Sequence, residues 1–199
     1  MDFRYFMKSI VLASMSSSRY HLLQKLDLPF IADAPNIDET PLINESATFL
    51  VTRLAIEKAK SLVTKYPTHL IIGADQVCIL ENQIIGKPLT HSKATKQLKQ
   101  ASGKKIIFYT GLCLFDSESR KYNARCELFT VYFRHLTNTQ IENYLTKEQP
   151  YQCAGAFMSE GLGITLFEKL VGRDPNTLIG LPLISLINML RTHGINPLN

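Results

Sequence analysis

Short apolar runs alternate with segments of helical periodicity along this chain, and that alternation restricts it to an α/β fold. "SIVLA" (9–13) has the pattern of a buried strand that stops at Ser14. Leu22, Leu23 and Leu26 then recur at helical spacing behind the serines at 16–18, which can cap a helix start. "PFIADA" reads as a second strand and "NIDETP" as a polar loop. From Ser46 to Lys65, Phe49, Leu50, Leu54, Ile56 and Leu62 with Ala55 and Ala59 predict a long amphipathic helix. "HLIIGA" is a third strand, and "VCILENQIIGKP" predicts a hairpin turning at Glu81-Asn82-Gln83. "SKATKQLKQAS" is a helix stopped by Gly103, and 106–115 and 124–135 are antiparallel strands joined by "DSESRKYN". Thr137 with Gln140 has capping-box spacing and opens a helix that ends before Pro150. "GITLFEKL" is another strand candidate, and "PLISLINMLRTHGI" is a closing helix stopped by Gly194. The expected architecture is a mixed, twisted sheet with flanking helices. In such folds a ligand usually sits in a cleft where strand ends meet helix N-termini.

A chain of 199 residues can build one substantial core, or two lobes that share one. The excess of 22 Lys and Arg over 17 Asp and Glu suits an anionic small ligand. The densest basic cluster is Lys104-Lys105, too sparse for a nucleic-acid surface, so no nucleic-acid partner is expected. Cys78, Cys113, Cys126 and Cys153 form no CxxC pair and have no His at ligand spacing, which argues for reduced thiols rather than structural zinc. "LIGLPLISLINML" is broken by Pro182 and falls short of the roughly 18 to 20 apolar residues that span a bilayer. The start, "MDFRYFMKSIVLASM", carries charges at Asp2, Arg4 and Lys8 and lacks the apolar core of a signal peptide. A soluble, cytoplasmic protein without a membrane partner is expected.

Four polar clusters follow the apolar runs. "SMSSSR" (14–19) offers serine hydroxyls and backbone N–H groups at a helix start, with Arg19 beside them. That set can hold phosphate oxygens, or it can be an ordinary serine cap with a surface Arg. "DETP" presents Asp38 and Glu39, and by itself reads first as a solvated acidic turn. In "HLIIGADQVCIL", Asp75 and Gln76 stand where the strand should turn. Asp75 is therefore an Asx-turn residue, or an acid delivered at a strand end to position Mg²⁺ or water. "GKP" fixes Lys87 between Gly and Pro, as a phosphate-neutralising cation or an exposed turn lysine. Taken together, the clusters suit metal-assisted hydrolysis of a polyphosphate. No Walker A loop, GxSxG elbow or HExxH pair is present, and His135 reads as structural.

The order and spacing of these clusters closely resemble the Maf family of nucleotide pyrophosphatases. The resemblance rests on "LASMSSSRYHLLQKLDLPF", "DETP", "VTRLAIEKAK", "LIIGADQV", "IIGKPLT", "SGKKIIFYTGL", "VYFRHLT", "CAGAFMSEGLG" and "NTLIGLPL", from about residue 10 to the C-terminus. It implies hydrolysis of nucleoside triphosphates to the monophosphate and diphosphate with a divalent metal, Mg²⁺ or Mn²⁺. The implied fold is a single domain over 1–199, with two lobes around a deep cleft as in inosine-triphosphate pyrophosphatases, often dimeric. Asp75 matches the family's proton acceptor, and Glu39, with Asp75, its metal site. Ser14, Ser16, Arg19, Lys58 and Lys87 match phosphate-binding positions, although Arg53, Glu57 and Lys58 would otherwise read as a solvated helix face.

Ser18, Gln76 and Glu160 occupy the positions that set base preference. Gln76 and Glu160, with "FEKLVGRDPNTLIGLPL", are similar to the branch acting on 7-methyl-GTP, a house-cleaning activity on modified nucleotides. A carboxylate at 160 can accept from guanine N1–H and N2–H₂, and it favours a base made cationic by N7 methylation. The first loop departs from the family's Ser-x-Ser-Pro-x-Arg-Arg: Ser17 replaces Pro, Tyr20 replaces the second Arg, and Ser18 stands where that branch often has an aromatic residue. Tyr20 and Phe157 are the alternative aromatic contacts for the base. The competing readings are a pyrophosphatase of dTTP/UTP or dITP type and a non-catalytic nucleotide-binding regulator of cell division.

Overall fold

A computed structural model describes residues 8–199. The signal-peptide argument over residues 1–7 lies outside the described residues. Seven strands form one mixed sheet: β1 (Ile10–Ala13), β2 (Phe30–Asp33), β3 (Leu70–Leu80), β4 (Gln83–Ile85), β5 (Lys105–Asp116), β6 (Lys121–Phe133) and β7 (Phe167–Gly172). The order is β2-β1-β3-β5-β6-β7, with β4 paired to β3 off this path. β1 runs parallel to both β2 and β3, whereas β3–β4 and β6–β7 are antiparallel. The flanking helices are α1 (Ser17–Gln24), α2 (Ala47–Ser61), α3 (His91–Ala101), α4 (Asn138–Glu148), α5 (Asn176–Ile179) and α6 (Leu183–Arg191). The mixed α/β fold expected from periodicity is the fold observed. No helix among the described residues is long and apolar enough to cross a membrane.

The chain divides into two compact units. One comprises the described residues up to Gln76, Thr110–Glu127 and Gly180–Asn199; the other comprises Val77–Tyr109 and Leu128–Ile179. In the first, Val11 and Ala13 of β1, Ile71 of β3, and Cys113 and Phe115 of β5 pack on Ala55 and Ala59 of α2. The small residues have a steric reason. A Cβ on Gly73 would lie 2.0 Å from the Ala55 carbonyl oxygen, and one on Gly111 would lie 2.0 Å from that of Val51. Two glycines on β3 and β5 thus let the α2 backbone lie directly on the sheet. In the second unit, Phe157 is the centre of an aromatic cluster, with ring centroids 4.9 Å from Phe167, 5.5 Å from Phe108 and 5.6 Å from Phe133. Edge-to-face packing of this kind stabilises beyond the buried area alone.

Ser16 and Ser46 accept first-turn N–H bonds at expected helix starts, and Thr137 with Gln140 forms a complete capping box. Thr90, which the sequence reading does not single out, caps α3 one residue before His91, ahead of the expected start at Ser92. Gly103 and Gly194 carry positive φ just past helix ends. Several boundaries differ from expectation. β3 does not end at Gly73–Gln76 but runs unbroken to Leu80, where Glu81 and Asn82, both at positive φ, make a two-residue hairpin to Gln83. α2 stops at Ser61 rather than Lys65, and Phe49, expected on its apolar face, is exposed. "KYN" belongs to β6, and the first part of "GITLFEKL" is a 3-10 turn (Leu162–Leu166) because Gly163 packs directly on the Met158 backbone.

Candidate active site

In the first unit, side chains from four segments meet. β1 ends at Ala13, paired with Gly73, so β3 continues past its parallel neighbour. Asp75 lies two residues beyond that last pair. By strand alternation it shares the face of Ile71 and Gly73, the face covered by α2. There Lys58 Nζ lies 2.7 Å from Asp75 Oδ1 and 2.9 Å from Glu39 Oε1, and the Lys58 and Asp75 side chains are only 6% and 10% exposed. Lys58 is therefore not on a solvated helix face. It follows Val51, Leu54 and Ala55 at helical spacing and sits on the buried stripe of α2.

Burial pushes the Asp75 carboxyl above its ordinary value, opposed by the Lys58 ammonium and the Arg19 guanidinium and assisted by Glu39. Desolvation in turn works against the Arg19 charge, which Asp75 and Glu39 support. Arg19 is aimed by its Nε, which donates to the Gly180 carbonyl at 2.9 Å. Gly180 has φ +122°, a conformation open to glycine.

Ser14 is buried, and its hydroxyl accepts from Ser16 N–H at 3.2 Å; Ser16 Oγ accepts from Arg19 N–H at 3.4 Å. Ser18, half-buried, is the second residue of α1. The backbone N–H groups of Ser17 and Ser18 meet no acceptor among the described residues. That is the arrangement of a helix start able to receive an anion. The serine-cap and phosphate-holding readings of this loop are thus compatible.

The Glu39 loop is fastened to α2. Arg53 forms a fork on Glu45, with Nε–Oε1 2.7 Å and Nη2–Oε2 2.8 Å, and also reaches Glu57 at 3.0 Å and the Thr40 carbonyl at 3.2 Å. Asp38 Oδ1 accepts from Thr40 N–H within the same loop.

Gln76 lies on the other side of the sheet. Its Nε2 donates to Thr110 Oγ1 at 2.8 Å. Thr110 precedes Gly111, whose open side faces α2, so Thr110 and Gln76 share the face away from α2.

In the second unit, Lys87 is exposed in a loop held by Gln97 Nε2 on the Gly86 carbonyl and by Leu89 N–H on the Tyr151 carbonyl. Glu160 is exposed and accepts from Ser159 Oγ at 2.9 Å. Both act on the Cys153 thiol: burial pushes it up, Glu160 reinforces the shift and Lys87 opposes it. Phe157 is 5% exposed inside the aromatic core, which removes it as a base-stacking residue. Tyr20 packs on Phe30, 5.0 Å between centroids, and remains 40% exposed.

Sequence reasoning missed the groups that aim the site: Gly180 for Arg19, Thr110 for Gln76, and the Arg53–Glu45 fork for the Glu39 loop. Gly180, Thr110 and Arg53 stand in "GLPL", "YTGL" and "VTRLAIEKAK", stretches already conspicuous in the sequence.

A buried carboxylate on a strand, bridged by lysine to a second carboxylate beside a helix start and an arginine, defines an α/β protein equipped to handle polyphosphate. The chain belongs to the Maf family: the family model described as Maf-like protein matches residues 9–193. A protein of Aliivibrio fischeri (strain ATCC 700601 / ES114), named 7-methyl-GTP pyrophosphatase, is 58% identical over 189 residues, covering 95% of this chain and 98% of that protein. Among solved structures, the Ham1 protein of Staphylococcus aureus aligns with TM-score 0.45 at 14% identity, over 63% of this chain and 72% of its own. A Vibrio cholerae protein aligns with TM-score 0.40 at 12% identity, over 92% and 96%.

Proposed function

We infer that this chain is a nucleoside triphosphate pyrophosphatase that hydrolyses 7-methyl-GTP to 7-methyl-GMP and diphosphate. Family membership and the 58% identical relative of that name support the reaction and the substrate. The observation that carries the chemistry is the Asp75–Lys58–Glu39 bridge. Asp75 acts as proton acceptor for the attacking water, and its raised pKa makes it a stronger base than an exposed aspartate. Water adds its oxygen across the α–β anhydride, Asp75 takes the proton, and diphosphate leaves with the electrons of the broken P–O bond. Arg19, Lys58 and the start of α1, with Ser14 and Ser16, neutralise charge on the triphosphate. Lys87 serves as a further phosphate cation, and Ser18, Gln76 and Glu160 govern the base.

Asp75 and Glu39 would offer two carboxylate oxygens, hard donors of the kind Mg²⁺ or Mn²⁺ takes. Glu39 and Asp75 are the groups that would hold it, and when bound it polarises phosphoryl oxygens. The same reading takes residues 1–199 as one domain of two lobes, acting in the cytoplasm, with a homodimer as its assembly.

Release of diphosphate from a panel of 7-methyl-GTP, GTP, dTTP, UTP, CTP and dITP with Mg²⁺ tests the proposal. The highest kcat/KM should fall on 7-methyl-GTP. Preference for dTTP or UTP would overturn the base assignment, and nucleotide binding without turnover would favour the regulator.

A further inference from the structure

We propose that Lys58 is the resident counter-ion of the Asp75–Glu39 pair, so that the divalent cation enters with the triphosphate and not ahead of it. This rests on the pyrophosphatase reading and on Asp75 and Glu39 as the metal-holding pair. The same two oxygens that would hold a metal already face one ammonium: Asp75 Oδ1 accepts from Lys58 Nζ at 2.7 Å, and Glu39 Oε1 forms an ion pair with it at 2.9 Å. In this group the charges of Asp75 and Glu39 are balanced by those of Lys58 and Arg19, which feels both carboxylates. A divalent cation arriving alone meets a neutral set in which both carboxylates already face a cation, and it must sit close to the Lys58 ammonium, whose side chain is only 6% exposed.

An arriving triphosphate changes that balance. It brings negative oxygens to which Lys58, a compact charge on a flexible four-carbon stem, can swing. The move frees Asp75 Oδ1 and Glu39 Oε1 for the metal. Metal and nucleotide then strengthen each other's binding, and by linkage the effect is mutual. Lys58 thus has two positions, one on the carboxylates in the free protein and one on phosphate in the complex. Its place on the buried stripe of α2 keeps both within reach of a single side chain.

Mn²⁺ alone, titrated at about pH 8 and followed by loss of its free EPR signal, tests this without turnover. Wild-type protein should bind Mn²⁺ weakly. Lys58→Gln, which keeps much of the stem and removes the charge, should bind at least about tenfold more tightly. Adding Glu39→Gln to Lys58→Gln should abolish the gain. Circular dichroism of each variant confirms folding. As a second measurement on unaltered protein, a non-hydrolysable α,β-methylene analogue should tighten Mn²⁺ binding beyond the affinity of the analogue itself for Mn²⁺. Tight Mn²⁺ binding by wild type alone, or no gain in Lys58→Gln, would overturn the counter-ion role. Failure of wild type to release diphosphate from any triphosphate with either metal would instead overturn the pyrophosphatase reading.

Discussion

Asp75 and Gln76 are consecutive residues of β3 that serve opposite faces of the sheet: Asp75 bonds Lys58 on α2, and Gln76 bonds Thr110 on β5. Proposed chemistry and proposed base reading are therefore separable by mutation, although they are adjacent in sequence.

Thr110→Val removes the hydroxyl that accepts from Gln76 and leaves the Asp75 face untouched. Because Thr110 is fully buried, stability should fall by about 1 kcal/mol. The ratio of kcat/KM for 7-methyl-GTP over UTP should drop several-fold, with kcat for the preferred substrate largely kept. An unchanged ratio would remove Gln76 from base recognition.

Asp75→Asn should lower diphosphate release by about 10²–10⁴-fold with the fold intact, the range for loss of a positioned base. The sign of the pH effect follows from burial, the largest influence on Asp75, which raises its pKa. A base works ionised, so activity falls as pH drops through that raised value, and the acid limb should lie above the ordinary carboxylate range. An acid limb inside the ordinary carboxylate range would uncouple the buried Asp75 from the rate.

The Arg53 fork holds the Glu45 carboxyl down at about 2, against an ordinary value of 4.5. A depressed carboxylate stabilises the fold above its unfolded pKa and loses that contribution as pH falls toward the folded one. The melting-temperature gap between wild type and Glu45→Gln should therefore be widest at neutral pH. It should narrow from about 4.5 down to about 2. A gap that persists undiminished at the low end would show that the fork acts through something other than charge.

Gly73→Ala drives a methyl group into the Ala55 carbonyl at 2.0 Å and the Ala59 nitrogen at 3.0 Å, both backbone atoms. The strand and α2 must separate, at a cost of about 3 kcal/mol in urea unfolding, and Lys58 moves with the helix. Gly86→Ala meets nothing within 4 Å and serves as the control. Equal effects of the two would refute the close approach of helix and sheet.

Phe157→Ala should cost about 3–5 kcal/mol, as for other buried aromatics. Phe157→Leu should retain the wild-type base preference in the substrate panel, since the ring packs on Phe108, Phe133 and Phe167.

What the sequence made legible follows the range of the physics. Caps at Ser16, Ser46 and Thr137 and stops at Gly103 and Gly194 depend on a few neighbouring residues, and most of the element order can be read from them. The end of β3 is not local: the sequence places a turn at Asp75 and Gln76, whereas the strand runs through Gly73 to Leu80. The role of Gly73 is to admit the α2 backbone, a contact with a residue 18 positions earlier that no local pattern announces.

The candidate site divides the same way. The residue types of Asp75, Glu39, Arg19 and Lys87, in their order along the chain, were sufficient to suggest polyphosphate chemistry and the Maf resemblance. Tertiary structure alone placed Lys58 between two carboxylates, turned Gln76 to the opposite face, buried Phe157 and assigned Gly180, Thr110 and Arg53 their aiming roles. Propensity and capping are local and so are written in the sequence. The direction of a side chain depends on which face of a helix or strand is covered, and only packing between distant segments decides that.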